Sequence, residues 1–348
     1  FFFYLVGGTT LLLAPSSCSA FSTKPTFSSR QLRRSPVSDR SIMTVILAAT
    51  DSNEVASPSK VKPLMWSQNS EENSPDTTSR LHELAKSTNY LSTIKMIVFD
   101  KDGTLGNDKA SLQRWATHMT TAVKGLKSDQ QESTSSMISE FHTTIGWNDE
   151  LQDVVPSAPL AAGTWLEQVL TLEHVLTKYG HDPSLAAEWH GQIELHGADD
   201  PLIPNLKDML SACQQNGDWE VAVCTSDVRD STDKALANWK VQDVVTYSIC
   251  ADEVENPKPN AEPIQRLCEI VSAASGSNNN VVTPQECIMV GDTISDTLMS
   301  RHANVSMCIG VLTGSGTPEI LTDAGADIIL PDVGHIPALL VAMKGMAE

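Results

Sequence analysis

Two aspartates one residue apart, Asp100 and Asp102, close the apolar run Met96-Ile97-Val98-Phe99, and Gly103 and Thr104 follow at once. Carboxylates so placed can divide a reaction: one attacks while the other handles a proton. Three more polar clusters follow strand-like segments. Val221–Cys224 ends in Thr225, Ser226 and Asp227; Lys258 lies between Pro257 and Pro259; Ile288-Met289-Val290 ends in Gly291-Asp292, with Asp296 four residues on. Asp100 and Asp292 are hard oxygen ligands of the kind Mg²⁺ takes. The hydroxyls of Thr225 and Ser226 and the cation of Lys258 suit a phosphate's oxygens and its developing charge. A metal, a cation, hydroxyls and a carboxylate nucleophile together read as phosphoryl transfer. Asp100 attacks phosphorus to give an aspartyl-phosphate, with Mg²⁺ and Lys258 screening the two anions from each other.

The elements that must position these groups follow a βα rhythm. A strand is expected at Lys95–Phe99, and helical apolar spacing then runs through Lys109–Leu126, Gln131–Gly146, Thr164–Tyr179 and Pro183–Ile193. After Pro201 strands and helices alternate: strands at Trp219–Cys224, Val245–Cys250, Glu286–Val290, Val305–Ile309 and Asp327–Leu330, with helices between them. Strands separated by helices of this length give an α/β fold, a doubly wound parallel sheet that binds ligands at the carboxyl ends of its strands. Its core is expected over 94–106 and 201–348, and residues 107–200 form an α-helical cap inserted behind the first motif. A cap in that position can roof the site.

Composition bounds the rest. The chain of 348 residues carries 24 Lys+Arg against 43 Asp+Glu, a net charge of −19. That balance argues against binding a nucleic-acid backbone and for simple solubility. The seven cysteines form no CxxC pair, which reads as buried thiols rather than a disulfide framework or zinc site. Residues 1–45 look like a targeting presequence. Phe1–Leu13 is apolar but short, Ser16 to Ala20 supplies small residues, and the Ser/Thr-rich stretch that follows is basic. This order resembles the bipartite plastid presequence of diatoms and related algae, in which a phenylalanine such as Phe21 follows the cleavage site. A plastid location is expected, with a mitochondrial or plain secretory leader as the alternative. The leader carries a net +4, which leaves −23 for the remainder. Residues 46–92 read as a disordered linker, with a short helix at Leu81–Leu91. No stable membrane association is expected. The oligomeric state and the mature N-terminus stay open.

The four clusters, in this order, resemble the haloacid dehalogenase (HAD) superfamily, in its subgroup with a helical cap behind the first motif. The resemblance covers about residues 94–345 and implies a Rossmann-like core. It makes Asp100 the nucleophile and a metal ligand, and Asp102 the general acid/base with its backbone carbonyl on the metal. Thr225 binds phosphate, Lys258 neutralises charge, Asp292 is the acidic metal ligand, and Asp296 is a supporting acid that orients Lys258 or metal waters, with direct contact to the metal as the alternative. The run Ile309-Gly310-Val311-Leu312-Thr313-Gly314-Ser315-Gly316, with Pro318-Glu319 and Gly325-Ala326-Asp327, is similar to the phosphoglycolate phosphatases of that superfamily. The expected substrate is therefore a small phosphorylated metabolite, 2-phosphoglycolate first. Lys101 departs from the apolar or aromatic residue many members carry, and it is expected to point away from the phosphate and not to affect mechanism.

The cap is less legible. Trp115, Trp147, Trp165 and Trp189 read as cap core. Arg114, Lys124 and Lys178 read as solvated helix faces that can meet a substrate carboxylate, and the histidines, without metal-ligand spacing, as structural or surface groups. The non-helical stretch 156–164 is the one cap segment expected to face the site. A phosphomutase on sugar phosphates is the nearest rival. A dehalogenase would leave Asp102 and Asp292 idle, and a silent binding module would not need both Asp100 and Asp102.

Overall fold

The computed structural model describes residues 64–66, 79, 81, 90–126, 131–193, 200–274 and 281–347. The chain enters with β1 (Leu64–Met65) and β2 (Met96–Phe99). The cap follows: α1 (Lys109–Lys124), α2 (Gln131–Ile145), a short hairpin of β3 (Trp147–Asn148) and β4 (Asp153–Val154), α3 (Pro159–Ala162), α4 (Trp165–Lys178) and α5 (Ser184–Gln192). The core resumes with α6 (Leu206–Gly217), β5 (Glu220–Cys224), α7 (Arg229–Asn238), β6 (Val245–Ile249) and α8 (Glu262–Ala274). It ends with β7 (Cys287–Gly291), α9 (Ile294–Ala303), β8 (Met307–Val311), α10 (Pro318–Ala324), β9 (Ile328–Leu330) and α11 (Ile336–Ala347).

Seven strands pair in parallel in the order β1-β9-β8-β7-β2-β5-β6. All four residues of β2 are buried, as a central strand covered on both faces requires. Successive side chains go to opposite faces. Ile97 and Phe99 join Val221, Val223, Ile288 and Val290 under α6 and α11, whereas Met96 and Val98 join Ala222, Cys224 and Met289 under α8 and α9. The cap has an apolar cluster of its own, with Trp115, Met119, Phe141, Leu172 and Val175 at its centre. Two antiparallel-running linkers join cap to core: Leu202 N–H donates to Leu105 O at 2.8 Å and Asn107 N–H to Asp200 O at 3.1 Å.

Several expectations change. The stretch 46–92 is not wholly a linker: Leu64 and Met65 pair with Ile328 and Ile329 as an edge strand, and Leu64 and Leu81 are buried in the core. Two residues are too short for their periodicity to show in sequence. The turn at Tyr90–Ser92 is a 3₁₀ helix, and most of the helix expected over Leu81–Leu91 lies outside the described residues, as does the presequence. Inside the cap the hairpin was not legible, and the stretch 156–164 contains the single helical turn α3. The described cysteines (Cys213, Cys224, Cys250, Cys268, Cys287 and Cys308) are free and buried. Among the described residues no helix is long and apolar enough to cross a membrane.

Candidate active site

Strand register assembles the site. Phe99 aligns with Val223 of β5 on one side and Val290 of β7 on the other, so the residues that follow each strand emerge side by side. Asp100 N–H still donates to Val290 O (2.8 Å) and Thr225 N–H to Ile249 O (3.0 Å), which holds both residues at the end of the ladder. Behind Asp100 the chain turns sharply, with Leu105 and Gly106 N–H both on Lys101 O at 2.9 Å. Gly103 takes φ +77°, and a Cβ there would meet Asp292 Oδ2 at 2.6 Å, so glycine is required twice over.

Asp100, Asp292 and Asp296 each offer a carboxylate oxygen, all within 4.8 Å of one another, and all three are buried. Lys258, also buried, donates to Asp100 Oδ1 and Asp296 Oδ1, both at 2.6 Å. The other oxygen of Asp296 accepts from the backbone (3.0 Å) and hydroxyl (2.6 Å) of Thr293, which starts α9 as a capping box. Asp292 is held by neutral donors: Thr104 Oγ1 at 2.9 Å and Ser315 N–H at 3.0 Å. Backbone crowds it so closely that a Cβ on Gly314 would lie 1.9 Å from its Oδ2. Thr313 ties this loop to the first motif through its hydroxyl on Gly103 O (2.7 Å).

Burial and neighbouring anions set the electrostatics. Burial pushes Asp100 up to about 8; Lys258 opposes this, and Asp296 and Asp102 add to it. Asp292 is pushed well above the usual carboxylate range by burial, then by Asp100 and Asp296. Lys258 is held well above its ordinary value: burial works against its charge, but Asp100 and Asp296 outweigh it. Three buried carboxylates facing one lysine are short of positive charge. An all-oxygen donor set of this kind suits a hard divalent cation such as Mg²⁺, which would restore the balance and keep Asp100 ionised. The triad is compatible with the expected ligand set, in which Asp102 offers its backbone carbonyl and Asp296 can reach the metal directly. The side chain of Asp296 joins Asp100 and Asp292, and that of Asp102 stands apart from them.

Asp102 belongs to a second charged group with Lys101, which faces the cavity rather than pointing away from it. Lys101 is only 3% exposed, lines the cavity, and bridges Asp102 Oδ1 (2.5 Å) and Asp227 Oδ2 (3.0 Å). An apolar strand end would not announce this, because the partner acid Asp227 comes from a loop 126 residues away from Lys101 in sequence. Burial raises Asp102 above the usual carboxylate range, Lys101 pulls against it, and Asp227 adds to it. The 42% of its side chain left exposed opens on the cavity. Burial also pushes Asp227 upward, but Lys101 together with Ser231 and the Val228 amide holds it below its ordinary value. Two acids sharing one cation are thus driven apart, one toward the neutral acid and one toward the anion.

A cavity of about 420 Å³ lies above these groups. Its floor includes Asp100, Asp102, Thr225, Ser226, Lys258 and Thr293. Thr225 also accepts from Asp227 N–H at 3.1 Å, which orders the turn after β5. The cap supplies the roof, including Leu160 to Gly163 from the stretch expected to face the site. Ser295 of α9 donates to Ala162 O at 2.7 Å across the gap between core and cap. Two of the tryptophans assigned to the cap core, Trp115 and Trp165, also line the cavity, as does His190, which was read as structural or surface. Arg114, Lys124 and Lys178 are exposed and are not among the lining residues. Sequence also gave no sign of Thr104, Ser315 and Gly314 as the cradle of Asp292, since that contact joins distant loops.

A doubly wound parallel α/β sheet, with acids at the ends of its two central strands and a helical cap over them, defines a capped α/β enzyme core. The model of the haloacid dehalogenase-like hydrolase family matches residues 94–304, and the chain belongs to that family. Pyrophosphatase PpaX of Bacillus cereus is 25% identical over 143 residues, covering 38% of this chain; the match spans 62% of the length of that relative. Among solved structures, a HAD-superfamily hydrolase, subfamily IA, variant 1, from Geobacter sulfurreducens PCA covers 72% of this chain and 97% of its own at 19% identity, with a TM-score of 0.44. The L-2-haloacid dehalogenase from Xanthobacter autotrophicus covers 71% and 98% at 18% identity, with a TM-score of 0.42.

Proposed function

We propose that this chain is a Mg²⁺-dependent phosphomonoester hydrolase that works through an aspartyl-phosphate on Asp100. The observation that carries the reading is the juxtaposition of Asp100, in a buried carboxylate triad bridged by Lys258, with a second acid, Asp102, on the floor of one cavity. Asp100 and Asp292, with Asp296 beside them, would hold the cation, which when bound supplies charge neutralisation for the phosphate and the attacking carboxylate. Thr225, Ser226 and Lys258 hold the phosphate oxygens. Asp100 forms a bond to phosphorus as the ester P–O bond breaks, and protonated Asp102 gives its proton to the departing alcohol. Asp102, now ionised, takes a proton from water, the resulting oxygen attacks phosphorus, and the carboxylate of Asp100 is released. The cap, latched by Ser295, keeps bulk water out during the first step.

The resemblance to phosphoglycolate phosphatases and the plastid location we propose make 2-phosphoglycolate the reference substrate. The name of the Bacillus relative adds pyrophosphate to the compounds to test. A phosphomutase on sugar phosphates uses the same first half-reaction and would show as isomerised sugar phosphate without net phosphate release. The test is phosphate release from a panel of phosphomonoesters with Mg²⁺ and with chelator. Activity is expected only with the metal, and it should fall below detection in Asp100→Asn. Substituting Asp102→Asn is expected to cost on the order of 10²–10⁴-fold in kcat. Full activity of Asp100→Asn would refute the mechanism.

A further inference from the structure

The reading above leaves the leaving group unassigned, and the roof of the cavity bears on it. We propose that the site takes phosphate esters of uncharged, ring-bearing alcohols, with the ring seated against the cap wall formed by Trp165 and His190. The proposal rests on the phosphohydrolase reading and puts a ring-bearing substrate class in place of 2-phosphoglycolate.

Charge is the first argument. Among the described residues the cap contributes no lysine or arginine to the cavity lining. The two lysines that do line it, Lys101 and Lys258, are each already bound by two carboxylates. A second anion on the substrate would enter a space that also holds Asp102, Asp108 and Asp227, with no free cation on the described walls to receive it. Arg114 is exposed, is not a lining residue, and donates to Ser111 Oγ of the wall at 2.7 Å.

Built geometry is the second argument. The rings of Trp165 and His190 stack at 5.5 Å with 21° between their planes, and both line the cavity. Trp115 Nε1–H donates to His190 Nδ1 at 3.0 Å. An indole N–H can only donate, so Nδ1 is the acceptor and the proton sits on Nε2. His190 is therefore fixed as a neutral imidazole, and burial, which lowers its pKa, favours the same form. A neutral N–H donor beside a flat aromatic surface, with the amide of Gln168 nearby on the same wall, matches a ring carrying hydroxyl or ether oxygens. Sugar rings, through their C–H faces, and aryl rings both pack on such a surface, and only the sugar adds oxygens for the N–H donors.

The experiment compares KM and kcat for glucose 6-phosphate, phenyl phosphate and 2-phosphoglycolate in the wild type, Trp165→Ala, Trp165→Phe, His190→Gln and Arg114→Ala. The proposal expects KM for one of the ring esters to be at least tenfold below that for 2-phosphoglycolate. Trp165→Ala should raise the ring-ester KM about tenfold with little change in kcat, and Trp165→Phe should restore most of the loss. His190→Gln should raise KM more for glucose 6-phosphate than for phenyl phosphate if the ring is a sugar, and Arg114→Ala should leave ring-ester kinetics unmoved. A preference for 2-phosphoglycolate that Arg114→Ala abolishes would overturn the proposal, as would an equal loss on every substrate in Trp165→Ala. Calorimetric titration of ring esters into Asp100→Asn with Mg²⁺ separates the two readings. Binding that Trp165→Ala removes, without turnover by the wild type, refutes the hydrolase reading and keeps the wall; turnover without ring preference does the reverse; neither binding nor turnover refutes both.

Discussion

Replacing Lys101 with methionine removes a cation while keeping most of the side-chain volume, and it probes the least expected feature of the site. Lys101 is almost fully buried and holds two carboxylates, Asp102 at 2.5 Å and Asp227 at 3.0 Å. Breaking a buried pair by deleting one partner costs about 3–5 kcal/mol, because the remaining charge is left uncompensated. Here the acids keep 42% and 26% of their side chains exposed, so water can take over part of the role of the lysine. The expected loss is accordingly smaller, about 2–3 kcal/mol, read from urea unfolding. Asp102 also loses the charge that pulls its pKa down, so its acid form should persist to higher pH. Phosphoryl transfer to Asp100 uses that acid form, and the alkaline limb of kcat/KM should move up in Lys101→Met. Adding Asp227→Asn removes the stranded anion, so the double variant should recover about 1 kcal/mol or more relative to Lys101→Met alone. A single variant that loses less than about 0.5 kcal/mol and keeps its pH profile would refute this account of the pair.

Three further outcomes follow from particular contacts. Gly314→Ala places a methyl against Asp292 Oδ2, so the carboxylate must move; Mg²⁺ affinity and activity should fall sharply, while overpacking costs only about 1–3 kcal/mol of stability, and an unchanged metal titration would count against the assigned site. Ser295→Ala deletes the core-to-cap bond to Ala162 O, worth about 1 kcal/mol, and should speed amide exchange over residues 160–163 about fivefold; unaltered exchange would mean the bond does not latch the cap. His142 and His190 in the cap are both held below the ordinary imidazole value of 6.5, chiefly by burial. The unfolded chain therefore binds protons first as pH falls, so their contribution is intact above about 6.5 and is lost progressively below it. Unfolding scans at pH 7.5 and 5.5 should show this loss, and His142→Gln with His190→Gln should flatten it; an equal pH slope in that double variant would exclude these two groups as the cause.

Local pattern was enough to reveal the core and the identity of its reactive groups. Runs such as Met96–Phe99 and Ile288–Val290 are apolar at every position because both faces of a central parallel strand are covered, so they are legible without neighbours. Polar residues placed directly behind such runs must emerge together at one end of the sheet, which is why Asp100, Thr225 and Asp292 could be gathered from three short motifs. Cap helices were legible for the same local reason, an apolar face repeating at helical spacing, as in Trp115, Met119 and Val123 of α1. What those residues touch depends on how the chain packs. Asp296 joins the carboxylate triad because α9 turns it back under Lys258. Lys101 becomes the partner of Asp102 because the loop after β5 brings Asp227 beside it. Trp165 and His190 become a cavity wall because two cap helices pack face to face. These contacts join residues from 25 to more than 120 positions apart, where spacing in sequence carries no distance information, and they depend on chain folding rather than on any local pattern.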